Sequence, residues 1–119
     1  MYKIKTVFCD IDGTLIRHHG SLSAQVNKKP EILKGVIKRL DEWDRKCYNI
    51  ILTTGRKESL RKITEEQLHS LGIAYDQLVM GISGGPRVLI NDLKPHQPEM
   101  ITAVAINLNR NEGLEDVEI

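Results

Sequence analysis

The sequence predicts an α/β fold, a three-layer sandwich around a five-stranded parallel sheet. Short apolar runs rich in Ile, Val and Phe recur along the chain, as expected of strands covered on both faces. Segments of helical period separate the early runs, the alternation that builds βαβ units. Three of the runs end in small polar or acidic residues, at the carboxyl ends of strands where such sheets hold their ligands.

Ile4 to Cys9 reads as the first strand, broken at Gly13 after Asp10-Ile11-Asp12. Residues 16–29 have no clear period and are expected to form a loop or small hairpin, a short flap at most. Pro30 suits the first position of a helix, and Ile32, Leu33, Val36, Ile37, Leu40 and Trp43 follow at three-and-four spacing. Lys34, Lys38, Asp41 and Arg45 form its solvated face. Tyr48 to Thr53 is the second strand. Glu58 to Leu71 is the next helix, with Leu60, Ile63, Leu68 and Leu71 on one side and a stop at Gly72. A short strand around Gln77 to Met80 follows. The glycine-rich stretch from Gly81 to Pro86 turns the chain into a fourth strand, Arg87 to Ile90, which ends at Asn91-Asp92. Pro95 and Pro98 disfavour regular structure. Thr102 to Leu108 reads as a last strand, and the acidic tail after Gly113 is expected to be loosely ordered.

A chain of 119 residues suits one domain spanning 1–119. Apolar residues make up 40%, charged residues 28% and the net charge is +1, the composition of a soluble globular protein. No charge excess points to nucleic acid or to a membrane surface, and neither a signal peptide nor a membrane span is evident. Cys9 and Cys47 lack metal-type spacing and read as free buried thiols in a reducing cytoplasm.

If Asp10 to Asp12 stays extended, the two carboxylates point the same way about 6.6 Å apart. Two acids so close repel, and a divalent cation beside them keeps the first ionised; hard oxygen ligands favour magnesium. The plainer reading is a turn after a strand, since Asp and Gly are common turn residues. The second strand end adds Thr54-Gly55 and the fourth adds Asp92. Carboxylates for a cation, with a hydroxyl and amides for an anion, suit a phosphate held by magnesium. An Asp can attack phosphorus and form an aspartyl-phosphate, and a second Asp can protonate the leaving oxygen and later deprotonate water.

Asp-Ile-Asp-Gly-Thr-Leu after an apolar strand resembles the first signature of the haloacid dehalogenase-like phosphatase superfamily, and the later strand ends extend the resemblance over most of the chain. It implies a Rossmann-like sheet of strand order 3-2-1-4-5 in a capless member, because neither insertion point has room for a cap domain. Asp10 corresponds to the family's nucleophile, Asp12 to its general acid/base lending a backbone carbonyl to the metal, and Thr54 to its phosphate-binding threonine, with Thr53 as the alternative. Asp92 corresponds to the distal magnesium ligand. The neutral Asn91 beside it leaves one charge fewer than usual.

The family's basic residue is best matched by Arg87, with Lys57 and Lys94 behind it; a plain strand-edge cation is the other reading of Arg87. Arg56, Lys57 and Arg61 could read a substrate carboxylate or second phosphate, or be solvated cations at a helix start. His18 and His19 are substrate contacts or solvated loop residues. The resemblance implies a cytoplasmic, magnesium-dependent phosphomonoesterase for a small phosphorylated substrate such as a sugar phosphate. A homo-oligomer, dimer or tetramer, could lend the open site a lid. The alternatives are a phosphatase for a macromolecular phosphate (a nucleic-acid end or a phosphoprotein) and a phosphate- or metal-binding module that has lost catalysis. The neutral composition argues against nucleic acid.

Overall fold

The computed structural model describes residues 4–119. Its centre is a three-stranded parallel sheet, β1 (Thr6–Asp10), β2 (Asn49–Thr53) and β3 (Gln77–Val79), in the order β1-β2-β3. Asp10 pairs with Thr53, and Thr53 with Val79, so all three carboxyl ends lie side by side. Helices α1 (Leu22–Asn27), α2 (Val36–Arg45) and α3 (Arg61–Ser70) complete the regular structure among the described residues, with one 3-10 turn at Glu58–Leu60 leading into α3.

The predicted fourth and fifth strands are not formed, and the predicted sandwich is reduced accordingly. Residues 80–108 carry no strand, and Val88, Ile90, Ile101 and Val104 expose their side chains. Pro86, Pro95 and Pro98 offer no N–H to a ladder. Asn91 Nδ2 donates to the Thr102 carbonyl at 3.0 Å and Thr102 Oγ1 to the Asp92 carbonyl at 2.6 Å, taking backbone acceptors that a sheet would use. Among the described residues the second edge of β1 is therefore unpaired, and Phe8 is 56% exposed.

The core gathers Cys9, Ile11, Leu15, Ile16, Val36, Leu40, Trp43, Ile50, Leu52, Leu68 and Leu78. Helix α2 starts six residues beyond Pro30. Ile32 bridges Ile16, the Leu33 amide donates to the Leu15 carbonyl at 2.9 Å, and Gly35 turns the chain at φ 76°. An added Cβ there would lie 2.4 Å from the backbone of Glu115. Within the expected flap a helical turn forms instead of a hairpin: Ser21 caps α1 by accepting from the Ala24 amide at 3.1 Å. Helix α3 ends as expected at Gly72, whose φ is 73°.

The acidic tail is docked. Leu114 and Val117 are buried, the Leu114 amide donates to the Lys34 carbonyl, and Arg39 clamps the carbonyls of Leu114 and Glu115. Cys47 also departs from expectation: it is exposed at the end of α2 with φ 63°. Cys9 is buried, and burial together with the neighbouring Asp10 charge pushes its thiol up to about 12. Among the described residues no helix is long and apolar enough to cross a membrane.

Candidate active site

The side-by-side strand ends open onto a cleft of about 560 Å³ lined by Asp10, Asp12, His18, Gln25, Thr54, Gly55, Arg56, Arg87 and Arg110, among others. Asp10 is the last residue of β1. Alternation turns it away from buried Cys9, and it opens to the cleft. Burial raises its carboxyl above the ordinary value; the Ile11 amide opposes this, the Asp12 charge adds to it, and Arg87 and His18 pull it back down.

Asp12 accepts three side-chain hydrogen bonds. Arg56 grips it with two hydrogen bonds, Nε to Oδ2 at 2.9 Å and Nη2 to Oδ1 at 2.8 Å, and Gln25 Nε2 adds a third to Oδ1 at 2.7 Å. Oδ2 accepts only one of these bonds and retains a second acceptor site. The Arg56 side chain is 1% exposed, and its Nη1 donates to Thr64 Oγ1 at 3.1 Å and Gln67 Oε1 at 2.7 Å. Expected to read substrate, Arg56 instead spends four bonds holding Asp12 and α3, because its side chain turns inward under the strand end.

Thr54 is buried and fixed on both sides, its amide donating to the Val79 carbonyl at 3.0 Å and its hydroxyl accepting from the Arg56 amide at 3.1 Å. Its hydroxyl proton is left to donate. Gly55 sits where a Cβ would come 3.0 Å from the Ile82 carbonyl, a tight approach that glycine makes without any shift of the neighbouring backbone. Arg87 Nη1 donates to the carbonyls of Ser83 and Gly85 at 2.8 and 2.7 Å, closing the glycine-rich turn on itself beside the cleft. His18 Nδ1 accepts from the Gly20 amide at 3.0 Å, leaving Nε2 for the cleft.

Arg61, expected as a substrate reader, pairs with Glu58 at 2.7 Å outside the cleft lining, and two further expected residues are not brought in. Lys57 is exposed outside the cleft lining. Asp92 is exposed and pairs with Lys94 at 2.6 Å, since the strand that would carry it to Asp10 is not formed. Among the described residues no three of His, Cys, Asp and Glu come together as a metal-holding group. Magnesium binds through one or two carboxylates together with phosphate oxygens and waters. Of the two carboxylates expected to hold it, Asp10 lines the cleft and Asp92 does not.

Sequence reasoning missed Gln25, Thr64, Gln67, Arg110 and Asn111. Gln25 is buried, bonds Asp12 and the Arg17 carbonyl, and accepts from the His19 amide at 2.8 Å. A glutamine one turn after a capping serine was the only local signal. Asn111 is 93 residues from its partner His18, and nothing in its neighbourhood announces that contact.

No family model matches the chain, and no curated protein matches it either. Solved structures do. A chain of the Pnkp1/Rnl/Hen1 complex is 31% identical over 71% of this chain, with a TM-score of 0.58. A chain in a structure of the Pnkp1/Rnl/Hen1 RNA repair complex is 32% identical over 64%, with a TM-score of 0.56. This chain spans only 30% and 25% of those chains. A crystal structure from Vibrio cholerae is 21% identical, covering 82% of this chain and 89% of that one at a TM-score of 0.53, which supports the fold alone.

Proposed function

We propose that this chain is a phosphomonoesterase domain of the haloacid dehalogenase-like type that removes a phosphate from the end of a nucleic acid. The observation that carries the reading is the Asp10 carboxylate at the open end of β1, facing a cleft with Arg87, His18 and Thr54 and backed by an Asp12 that Arg56 holds in place. The likeness to chains of an RNA repair complex supports the nucleic-acid end over the small sugar phosphate.

In the proposed reaction an Asp10 oxygen attacks phosphorus, and a bond forms between them as the ester P–O bond breaks. Asp12 enters this step protonated on Oδ2, and the departing oxygen takes that proton. Asp12 then removes a proton from water, whose oxygen attacks the same phosphorus. The bond to Asp10 breaks, and inorganic phosphate and free Asp10 result. Thr54 donates its hydroxyl to a phosphate oxygen, and Arg87 balances the incoming negative charge. Asp10, with the Asp12 main-chain carbonyl, would hold the magnesium ion, which supplies neutralisation of phosphate charge.

A second reading, a small phosphorylated metabolite as substrate, is favoured by the net charge of +1 and by a cleft volume typical of small-molecule sites. Phosphate release from single-stranded oligonucleotides with a 3′- or 5′-phosphate, compared with sugar phosphates and nucleoside monophosphates, separates the two. The proposal predicts the highest kcat/KM on an oligonucleotide end. Preference for a sugar phosphate would overturn it in favour of the second reading.

A further inference from the structure

Three guanidinium groups line the cleft, and they are not equivalent. Arg56 gives four of its five N–H donors to Asp12, Thr64 and Gln67, and Arg87 gives Nη1 to two carbonyls. Arg110 is exposed and has neither a hydrogen-bond nor an ion-pair partner among the described residues. Its position is nevertheless defined. The side-chain stem crosses the strand-end loop, so that a Cβ added at Gly13 would lie 3.1 Å from its Cγ and 3.8 Å from its Nε.

The next residue fixes the turn that carries it. Asn111, at φ 65°, donates its amide to the Gly13 carbonyl at 2.8 Å and accepts from the His18 amide through Oδ1 at 2.7 Å. Its Nδ2 reaches back to the His18 carbonyl at 3.4 Å. One asparagine thus ties both ends of the 13–18 loop to residues 110–111, and the free guanidinium is held at the cleft rim. Arg110 packs over Gly13, three residues beyond Asp10 in the chain, and so lies on the side of the cleft formed by the strand-end loop.

A planar fork of N–H donors, unpaired and wet, matches phosphate oxygens. We infer that Arg110 forms a second anion subsite, binding the phosphodiester next to the terminal phosphate of a nucleic-acid strand, with Asn111 as its positioning residue. The inference rests on the proposed nucleic-acid reading and adds what would distinguish a strand end from a lone phosphate ester.

The test is binding of a fluorescein-labelled single-stranded RNA dodecamer with a terminal phosphate, by anisotropy over a salt series, to the full chain carrying Asp10→Asn so that no turnover intervenes. Each phosphate contact on a single strand contributes about 0.7 to the slope of log affinity against log salt. Arg110→Gln is expected to lower that slope by about 0.7 and to weaken binding roughly tenfold at low salt. Lys62→Gln, the same loss of charge on the exposed face of α3 outside the cleft, is the comparison and should do far less. Asn111→Gly keeps the positive φ, removes the bonds to His18, and should reproduce the reduced slope.

On the Asp10 background, Arg110→Gln should raise KM for a phosphorylated dinucleotide more than for a nucleoside monophosphate, and KM more than it lowers kcat. Equal slopes for Arg110→Gln and Lys62→Gln, or no binding of the dodecamer, would overturn the subsite. Arg110-dependent binding without phosphate release would remove the phosphatase reading and leave the subsite standing. Phosphate release with an unchanged slope would do the reverse.

Discussion

Replacing Arg56 by methionine removes four hydrogen bonds at once: two to Asp12, one to Thr64 and one to Gln67. The side chain is 1% exposed and that of Asp12 only 17%, so solvent screens the pair little. Truncating one partner of a buried ion pair leaves the other charge uncompensated, at about 3–5 kcal/mol. For 119 residues each kcal/mol is worth about 4 °C, so the melting temperature should fall by about 12–20 °C. Asp12→Asn should cost a comparable amount, because it leaves the guanidinium buried without its carboxylate. The double variant Arg56→Met with Asp12→Asn should lose at least about 2 kcal/mol less than the two single losses together, since neither charge is then stranded. Urea denaturation followed by the fluorescence of buried Trp43 measures all three. Losses within about 0.5 kcal/mol for Arg56→Met, the range of an ordinary surface change, or strictly additive losses, would refute the pairing.

Asp10→Asn should stabilise the fold at neutral pH. Burial raises the folded-state pKa, so the folded state holds this proton more tightly than the unfolded state, and stability falls as pH rises through the folded value. The variant's higher melting temperature should be present at pH 7 and vanish below the unfolded carboxylate value of about 3.9; a melting-temperature series over pH reads this directly, and a gain that persisted at pH 3 would count against it. Iodoacetamide at pH 8 should add one label per native chain, at exposed Cys47, and a second at Cys9 only in denaturant, because the buried Cys9 thiol titrates at about 12. Truncation after Gly113 removes the buried Leu114 and Val117 and should cost about 3–6 kcal/mol, measured by the same urea titration; a loss under 1 kcal/mol would mean that the tail is not docked.

What could be read from the sequence was what neighbouring residues decide. Strands β1, β2 and β3 and helix α3 lie close to their expected positions, because apolar runs and the Gly72 stop are local signals. Ile32 and Leu33 share the period of α2 yet pair with the loop at 15–17, so the pattern placed the helix start too early. Val88-Leu89-Ile90 has the β-propensity of β1 and forms no ladder in the structure; propensity describes a fit to a sheet and does not supply the partner strand. With that strand goes the delivery of Asp92. Arg56 read as an ordinary cation before a helix, and its place in the site comes from burial against residues up to 44 positions away. Arg110 carried no local signal at all, since its location depends on Asn111 reaching His18.

The proposed attack of Asp10 on a terminal phosphate is tested most directly by release of inorganic phosphate from a 3′- or 5′-phosphorylated oligonucleotide, with and without added magnesium, by the wild type and by Asp10→Asn. Release by the wild type should depend on magnesium and fall at least about a hundredfold in the variant, in line with loss of a group that acts in the transition state. Equal release by the two proteins, or none from any phosphorylated substrate by a folded wild type, would contradict it.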